Sequence, residues 1–192
     1  QVPHRRPDSR GTRREFSIVS APVDLPFVRI AYREAAERGS SYKRALGAVQ
    51  ADDALTATGV WGDFVLPEKD APVLLVAAGI GVTPFVSQLA AAERTDAVLV
   101  LVASTGEECA YLDELAGTGA RIVVLTPDRP AVLPGTAQWA GGARLDSALL
   151  HELVPDLHRR HAYVSGPPRL IAELAPALRG ARRVTTDAFS GY

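Results

Sequence analysis

Polar and apolar residues follow two different patterns along the chain, and the change falls near residue 70. Before it, apolar residues alternate with polar ones in short runs. Residues 15–20 (EFSIVS) and 26–33 (PFVRIAYR) have the period of half-buried strands, residues 55–66 hold two further strand-like patches around Gly59 and Gly62, and Pro22 and Pro67 act as stops. Between them, Gly39, Ser40 and Ser41 lead into a short helix over 45–49. After residue 70 the apolar runs are unbroken and helical stretches separate them. Strands are predicted at 73–78, 97–103, 121–125, 162–164 and 183–185. Helices are predicted at 84–94, 109–115, from an Asp146 cap to 153, and from Pro168 to 178. Residues 127–142, including Trp139, read as turns. The fold class is therefore α/β plus all-β: a doubly wound parallel sheet over 70–192, preceded by an antiparallel β unit over 1–69, with ligands outside the carboxyl ends of the parallel strands.

The stretch 73–89 (VLLVAAGIGVTPFVSQL) carries the clearest chemistry. Its strand runs straight into Gly79 and Gly81, which tolerate unusual backbone torsions and let a ligand approach the main chain. Thr83 as N-cap and Pro84 in the first turn then start a helix whose free N–H groups suit a phosphate. Ordinary strand-to-helix turns use the same residues, so the loop alone leaves both readings open. Ser40 and Ser41 likewise either cap their helix or hold an anion, with Lys43 and Arg44 nearby.

Charge and composition narrow the field. Twenty-one Lys and Arg against 22 Asp and Glu leave a net charge of −1, so no overall field argues for nucleic acid. Arg5, Arg6, Arg10, Arg13 and Arg14 make a local basic cluster that reads as a solvated loop. Cys109 is the sole cysteine, which excludes a disulfide framework and a four-cysteine iron–sulfur site within this sequence. His151, His158 and His161 form no ligand pattern because Pro155 interrupts the helix they would share, and no metal is expected. Ser17 and Ser165 lie outside Gly-x-Ser-x-Gly, so a hydrolase nucleophile is not expected. No apolar run reaches the length of a membrane span, which points to an aqueous, cytoplasmic setting, and the start at Gln1 suggests that an upstream portion has been removed.

Five motifs in order resemble the ferredoxin–NADP reductase superfamily. Arg14-x-Phe16-Ser17 is similar to its flavin motif, Gly39-Ser40-Ser41 to its second flavin-phosphate segment, and Gly62-x-Phe64 to the Gly-x-Phe closing its flavin barrel. Gly79-x-Gly81-x-Thr83-Pro84 is similar to its nicotinamide-nucleotide loop, and Ser165-Gly166-Pro167-Pro168 to the segment beneath the nicotinamide. Residues 7–11 (PDSRG) and the ending Phe189-Ser190-Gly191-Tyr192 further resemble a bacterial subgroup often fused to a membrane-embedded partner.

The resemblance implies FAD and NAD(P)H as cofactors and hydride transfer from nicotinamide C4 to flavin N5, in which the protein mainly aligns two rings. It implies that Arg14 pairs with the flavin pyrophosphate, Phe16 lies against the flavin, Ser17 reaches the ring's polar edge, and Phe189 or Tyr192 covers the other face. Thr83, Pro84 and Ser165 would shape the nicotinamide pocket, making Ser17, Thr83 and Ser165 the catalytic set. Electrons would leave to an acceptor protein or a fused membrane domain, the chain lying at the cytoplasmic face. Two residues depart from the family pattern: Phe16 stands where Tyr is common, and Ser165 where Cys is common. The six-stranded flavin barrel is also truncated at its amino end. Ser104 and Thr105, after the second parallel strand, would meet the adenosine ribose. Glu107 and Glu108 there would repel a 2′-phosphate, which favours NADH, unless Arg121 or Arg144 folds in. A different class stays open: a non-catalytic NAD(P)-binding sensing or docking module with an incomplete flavin site.

Overall fold

The computed structural model describes residues 1–4, 6–33, 39–67, 71–92 and 94–189. Its centre is one six-stranded parallel sheet built from β1 (Val73–Ala78), β2 (Ala97–Val102), β3 (Arg121–Leu125), β4 (Ala137–Trp139), β5 (His161–Gly166) and β6 (Arg183–Ala188). The order across the sheet is β4-β3-β2-β1-β5-β6. The chain winds outward from β1 in one direction as far as β4, then crosses to the other side of β1. The crevice between the carboxyl ends of β1 and β5 is therefore the switch point where open sheets of this kind bind ligands.

Alternate residues of the central strands feed two cores. Val73, Leu75 and Ala77 of β1, with Leu99, Leu101 and Val124, pack against Phe85, Val86 and Leu89 of α2 (Thr83–Ala91) and Leu112 and Leu115 of α3 (Leu112–Ala116). Leu74, Val76, Val100 and Val123 face the opposite side, against Leu150 and Leu153 of α4 (Ser147–Leu153) and Leu174 and Leu178 of α5 (Pro168–Leu178). Both faces of β1 are thus covered, which is why its sequence shows no polar alternation. Each such buried Leu or Phe contributes roughly 1.5–3 kcal/mol of transfer free energy. Asp146 caps α4 as expected, its carboxylate accepting from Leu149 N–H at 2.9 Å.

The expected fold class holds for the sheet, while the amino-terminal half is more sparsely ordered than its sequence pattern suggested. The runs 15–20 and 26–33 meet antiparallel at a single bridge, Ile18 to Ile30, supported by Val19 N–H donating to Arg29 O at 2.8 Å. Neither extends into a ladder, and residues 55–66 carry no strand. Val23, Phe27, Val60 and Trp61 are strongly exposed, so little apolar surface is buried here to fix longer pairings. The short helix is α1 (Ser41–Gly47), which begins at the serines and ends two residues before the expected 49; Ser40 caps it, accepting from Lys43 N–H at 3.2 Å. The expected junction near residue 69 falls on residues outside the described set.

Two shorter differences lie in the sheet half. The helix expected over 109–115 is a 3-10 turn at Gly106–Glu108 followed by the single-turn helix α3. The turn-rich 127–142 hides β4, a three-residue edge strand whose Trp139 indole N–H donates to Thr126 O at 3.1 Å.

Candidate functional site

At the switch point, β1 leaves the sheet through the 3-10 turn Gly79–Val82, which continues directly into α2. Gly79 sits at φ +52°, a conformation that favours glycine. Gly81 has no room for a side chain: a Cβ there would come within 2.3 Å of the Ser165 carbonyl oxygen and 3.1 Å of its hydroxyl. Gly166 is equally confined, since its Cβ would meet that of Ala78 at 2.9 Å. These contacts bring the two motifs expected to line the nicotinamide pocket into van der Waals contact.

Thr83 does not cap α2, as its sequence position suggested. The preceding 3-10 turn makes Val82 the N-cap, and the Thr83 hydroxyl donates back to Ile80 O at 2.9 Å. Thr83 and Pro84 are buried at the start of the helix. Pro167 precedes α5 in extended backbone and Pro168 opens it, so Ser165, Gly166, Pro167 and Pro168 form a second strand-to-helix turn beside the first. Ser165 is fully buried, yet its Oγ is the one buried side-chain polar atom among the described residues without a hydrogen-bond partner. A buried hydroxyl left unpaired costs about 1–3 kcal/mol, so a polar group arriving in this crevice finds a ready partner. Phe189 lies just beyond β6, its N–H donating to Gly166 O at 2.9 Å, while Tyr192 is outside the described residues.

A second group of polar atoms follows β2. Ser104 and Thr105 are exposed, and Ser104 N–H donates to Glu108 Oε2 at 3.3 Å. The other Glu108 oxygen pairs with Arg33 at 2.6 Å. Arg33 also reaches within 4.0 Å of the position a Gly79 Cβ would take, linking the amino-terminal half to the glycine turn. Neither arginine proposed to offset this negative charge is placed to do so. Arg121 begins β3 at the amino-terminal end of the strands, donating to Leu153 O, and Arg144 pairs with Glu173 of α5.

In the amino-terminal half, the residues expected to hold flavin phosphate are already engaged. Arg14 binds the Asp8 carboxylate, Ser40 caps α1, and Ser41 Oγ accepts from Asp8 N–H at 3.0 Å. Gly39 O accepts from the Arg44 guanidinium, and Phe16 packs against Tyr42 with ring centroids 6.1 Å apart. Ser17 is half-buried beside the Ile18–Ile30 bridge. Gly62 adopts φ +132°, and Phe64 inserts into the sheet's core against Phe85 and Tyr163 at 5.6 and 5.4 Å. Phe64 therefore docks the two halves of the chain to each other.

Several residues that hold the site together gave no sequence signal. Gln88 of α2 accepts from Leu66 N–H at 2.7 Å and donates to Phe64 O at 3.0 Å, and the Tyr163 hydroxyl donates to Val65 O at 3.0 Å. Arg94, almost fully buried, donates to Pro67 O and Ala71 O at 2.7 Å each and pairs with Asp96 at 2.8 Å. Together they strap the connector onto the sheet. Asp187 stands opposite Ser165 in the β5–β6 register, and burial together with the nearby Asp63 charge pushes its carboxyl above the ordinary range. A polar residue inside an apolar helix face, such as Gln88, was the only available hint. Among the described residues no group of three metal-ligating side chains comes together, and no helix is long and apolar enough to cross a membrane.

The chain is similar to known proteins in sequence and in fold. Residues 75–175 match the oxidoreductase NAD-binding domain family. The chain is 32% identical to a flavohemoprotein of Pseudomonas putida over 178 residues, 90% of this chain and 44% of that protein. It is 34% identical to ferredoxin–NADP reductase B of Sorangium cellulosum over 166 residues, 81% of this chain and 63% of that one. The fold is similar to that of a cytochrome P450 reductase from Amycolatopsis, with a TM-score of 0.71 at 22% identity, covering 95% of this chain and 58% of that one. The chain thus spans about half the length of the curated relatives it matches. With its wound sheet, glycine turn and Ser-Gly-Pro-Pro turn in place, the chain belongs to the oxidoreductase NAD-binding domain family of ferredoxin–NADP reductase-like proteins.

Proposed function

We propose that this chain is the reductase module of an NAD(P)H-dependent flavoprotein. It would bind the dinucleotide over the carboxyl ends of β1 and β5, face a flavin with residues 1–69, and pass electrons to an external or fused acceptor. The observation that carries the reading is the buried, unpaired Ser165 hydroxyl against Gly81, a polar contact held open where no side chain fits.

Bound there, a nicotinamide supplies a hydride and a flavin accepts it. The chain's own residues do the positioning. Gly79 and Gly81 let the backbone come close to the ligand, the Ser165 hydroxyl orients its polar edge, and Thr83 and Pro84 form the pocket wall. Phe64, Gln88, Tyr163 and Arg94 fix the distance between the half-sites, which is what ring-to-ring transfer needs most. Glu108, its carboxylate shared between the Ser104 amide and Arg33, stands with Glu107 just after Ser104 and Thr105, and this acidic pair supports NADH as the donor. Ser17, Phe16 and Phe189 are assigned to the flavin side, with Tyr192 as a further candidate there. The cytoplasmic face of a membrane is the proposed setting, and an electron-acceptor protein or fused membrane domain the proposed partner.

The engagement of Arg14 by Asp8 favours a second reading, a dinucleotide-binding docking module that holds no flavin. A visible spectrum with anaerobic titration by NADH and NADPH separates the two. Bound flavin bleached by NADH at lower concentration than by NADPH supports the reductase. A colourless protein that binds dinucleotide supports the module and ends the reductase reading for this chain.

A further inference from the structure

The turn preceding the flavin motif places a carboxylate where the resemblance expects a phosphate. Both oxygens of Asp8 accept from Arg14 Nη2, at 2.6 and 2.8 Å. Nη1 of the same guanidinium donates to the carbonyls of Arg10, Gly11 and Arg13, at 3.0, 3.1 and 2.6 Å. The Arg14 plane lies over the Tyr42 ring, 4.8 Å from its centroid. The Asp8 backbone N–H donates to Ser41 Oγ at 3.0 Å, and His4 Nε2 approaches that hydroxyl at 3.3 Å. The turn is closed by Gly11 N–H on Asp8 O at 2.9 Å and by Arg10 N–H on Asp8 Oδ1 at 3.0 Å. Arg14, through the Asp8 carboxylate, and Ser41, through the Asp8 backbone N–H, thus meet at one residue of the chain itself.

We propose that Asp8 is an internal stand-in for phosphate, closing the Arg14–Ser41 cradle and setting this chain's discrimination between flavins with and without a phosphate group. The inference rests on the reading of residues 1–69 as a flavin-facing half. Its physical basis is competition for donors. With Nη1 on three carbonyls and both of its Nη2 bonds on the Asp8 carboxylate, Arg14 has only its Nε–H without a partner for an incoming oxyanion, and the neighbouring carboxylate repels one. A phosphate must displace Asp8 and replace its charge-assisted bonds before it gains any. The Arg14 guanidinium holds the Asp8 carboxyl below the usual range, so the stand-in keeps its charge throughout neutral pH.

The test is the affinity of riboflavin, FMN and FAD for the wild-type chain and for Asp8→Asn and Asp8→Ala, read by flavin fluorescence, with circular dichroism confirming the fold. Removing the carboxylate is expected to raise FAD and FMN affinity about tenfold while leaving riboflavin unchanged. Asp8→Asn preserves the turn's size and the backbone contact to Ser41, and it decides the matter should Asp8→Ala not fold. FAD affinity that is unchanged or weaker in the folded variants overturns the proposal and makes Asp8 an organiser of Arg14. If no form binds any flavin while all bind dinucleotide, the flavin reading of residues 1–69 falls, and this proposal falls with it.

Discussion

Gly81 is pressed against Ser165 so closely that a methyl group on it would lie 2.3 Å from the Ser165 carbonyl oxygen. One contact thereby joins the turn after β1 to the end of β5. Gly81→Ala must push two buried strand ends apart, at a cost of about 1–3 kcal/mol typical of overpacking. Thermal unfolding should shift down accordingly, and calorimetric titration should show NADH affinity reduced at least tenfold.

The unpaired Ser165 hydroxyl separates a binding role from a structural one. In Ser165→Ala the orphaned buried polar atom is gone, so stability of the free chain should be unchanged or higher by up to about 1 kcal/mol. Dinucleotide affinity should nevertheless fall several-fold. A variant that loses stability and keeps its affinity would show the hydroxyl to be structural.

Arg94 carries the connector. Its guanidinium is buried, holds two carbonyls of the connector and pairs with Asp96. Arg94→Ala should cost about 3 kcal/mol in urea unfolding, because it leaves carbonyls and a carboxylate unsatisfied. Proteolysis should then cut first near residues 67–71.

Asp187 makes stability depend on pH in a defined direction. Burial and Asp63 raise its pKa in the folded chain, so folding holds the proton more tightly than the unfolded chain does. Its contribution is most favourable below the unfolded value near 3.8, declines as pH rises from there through the folded value, and is constant above. Asp187→Asn should therefore raise stability at pH 7 relative to pH 4, measured as the difference in urea midpoint between the two.

Glu108 is the test of coenzyme choice. Glu108→Gln removes the charge above Ser104 and frees Arg33, to which it is paired at 2.6 Å. The ratio of NADPH to NADH affinity should rise about tenfold by titration. An unchanged ratio would place the 2′-phosphate elsewhere.

The hydrophobic patterning alone determined the four central strands of the wound sheet. β1, β2, β3 and β5 are buried on both faces or nearly so, and burial on both faces writes itself into sequence as an unbroken apolar run. Local rules also sufficed for the Asp146 cap and for the glycine and Ser-Gly-Pro-Pro turns, whose torsions and first-turn prolines act over a few residues. Only the tertiary structure decided which donors were still free. Arg14 and Ser41 lie in recognisable motifs, yet Asp8, six residues before Arg14, engages both, its carboxylate the guanidinium and its backbone N–H the Ser41 hydroxyl. Phe64 sits in a recognisable motif, yet its packing on Phe85 and Tyr163 comes from strands and helices far along the chain. Periodicity reports how much of a residue is buried, whereas a hydrogen bond or a ring contact depends on a partner brought close by the fold, and that partner leaves no mark on the local sequence.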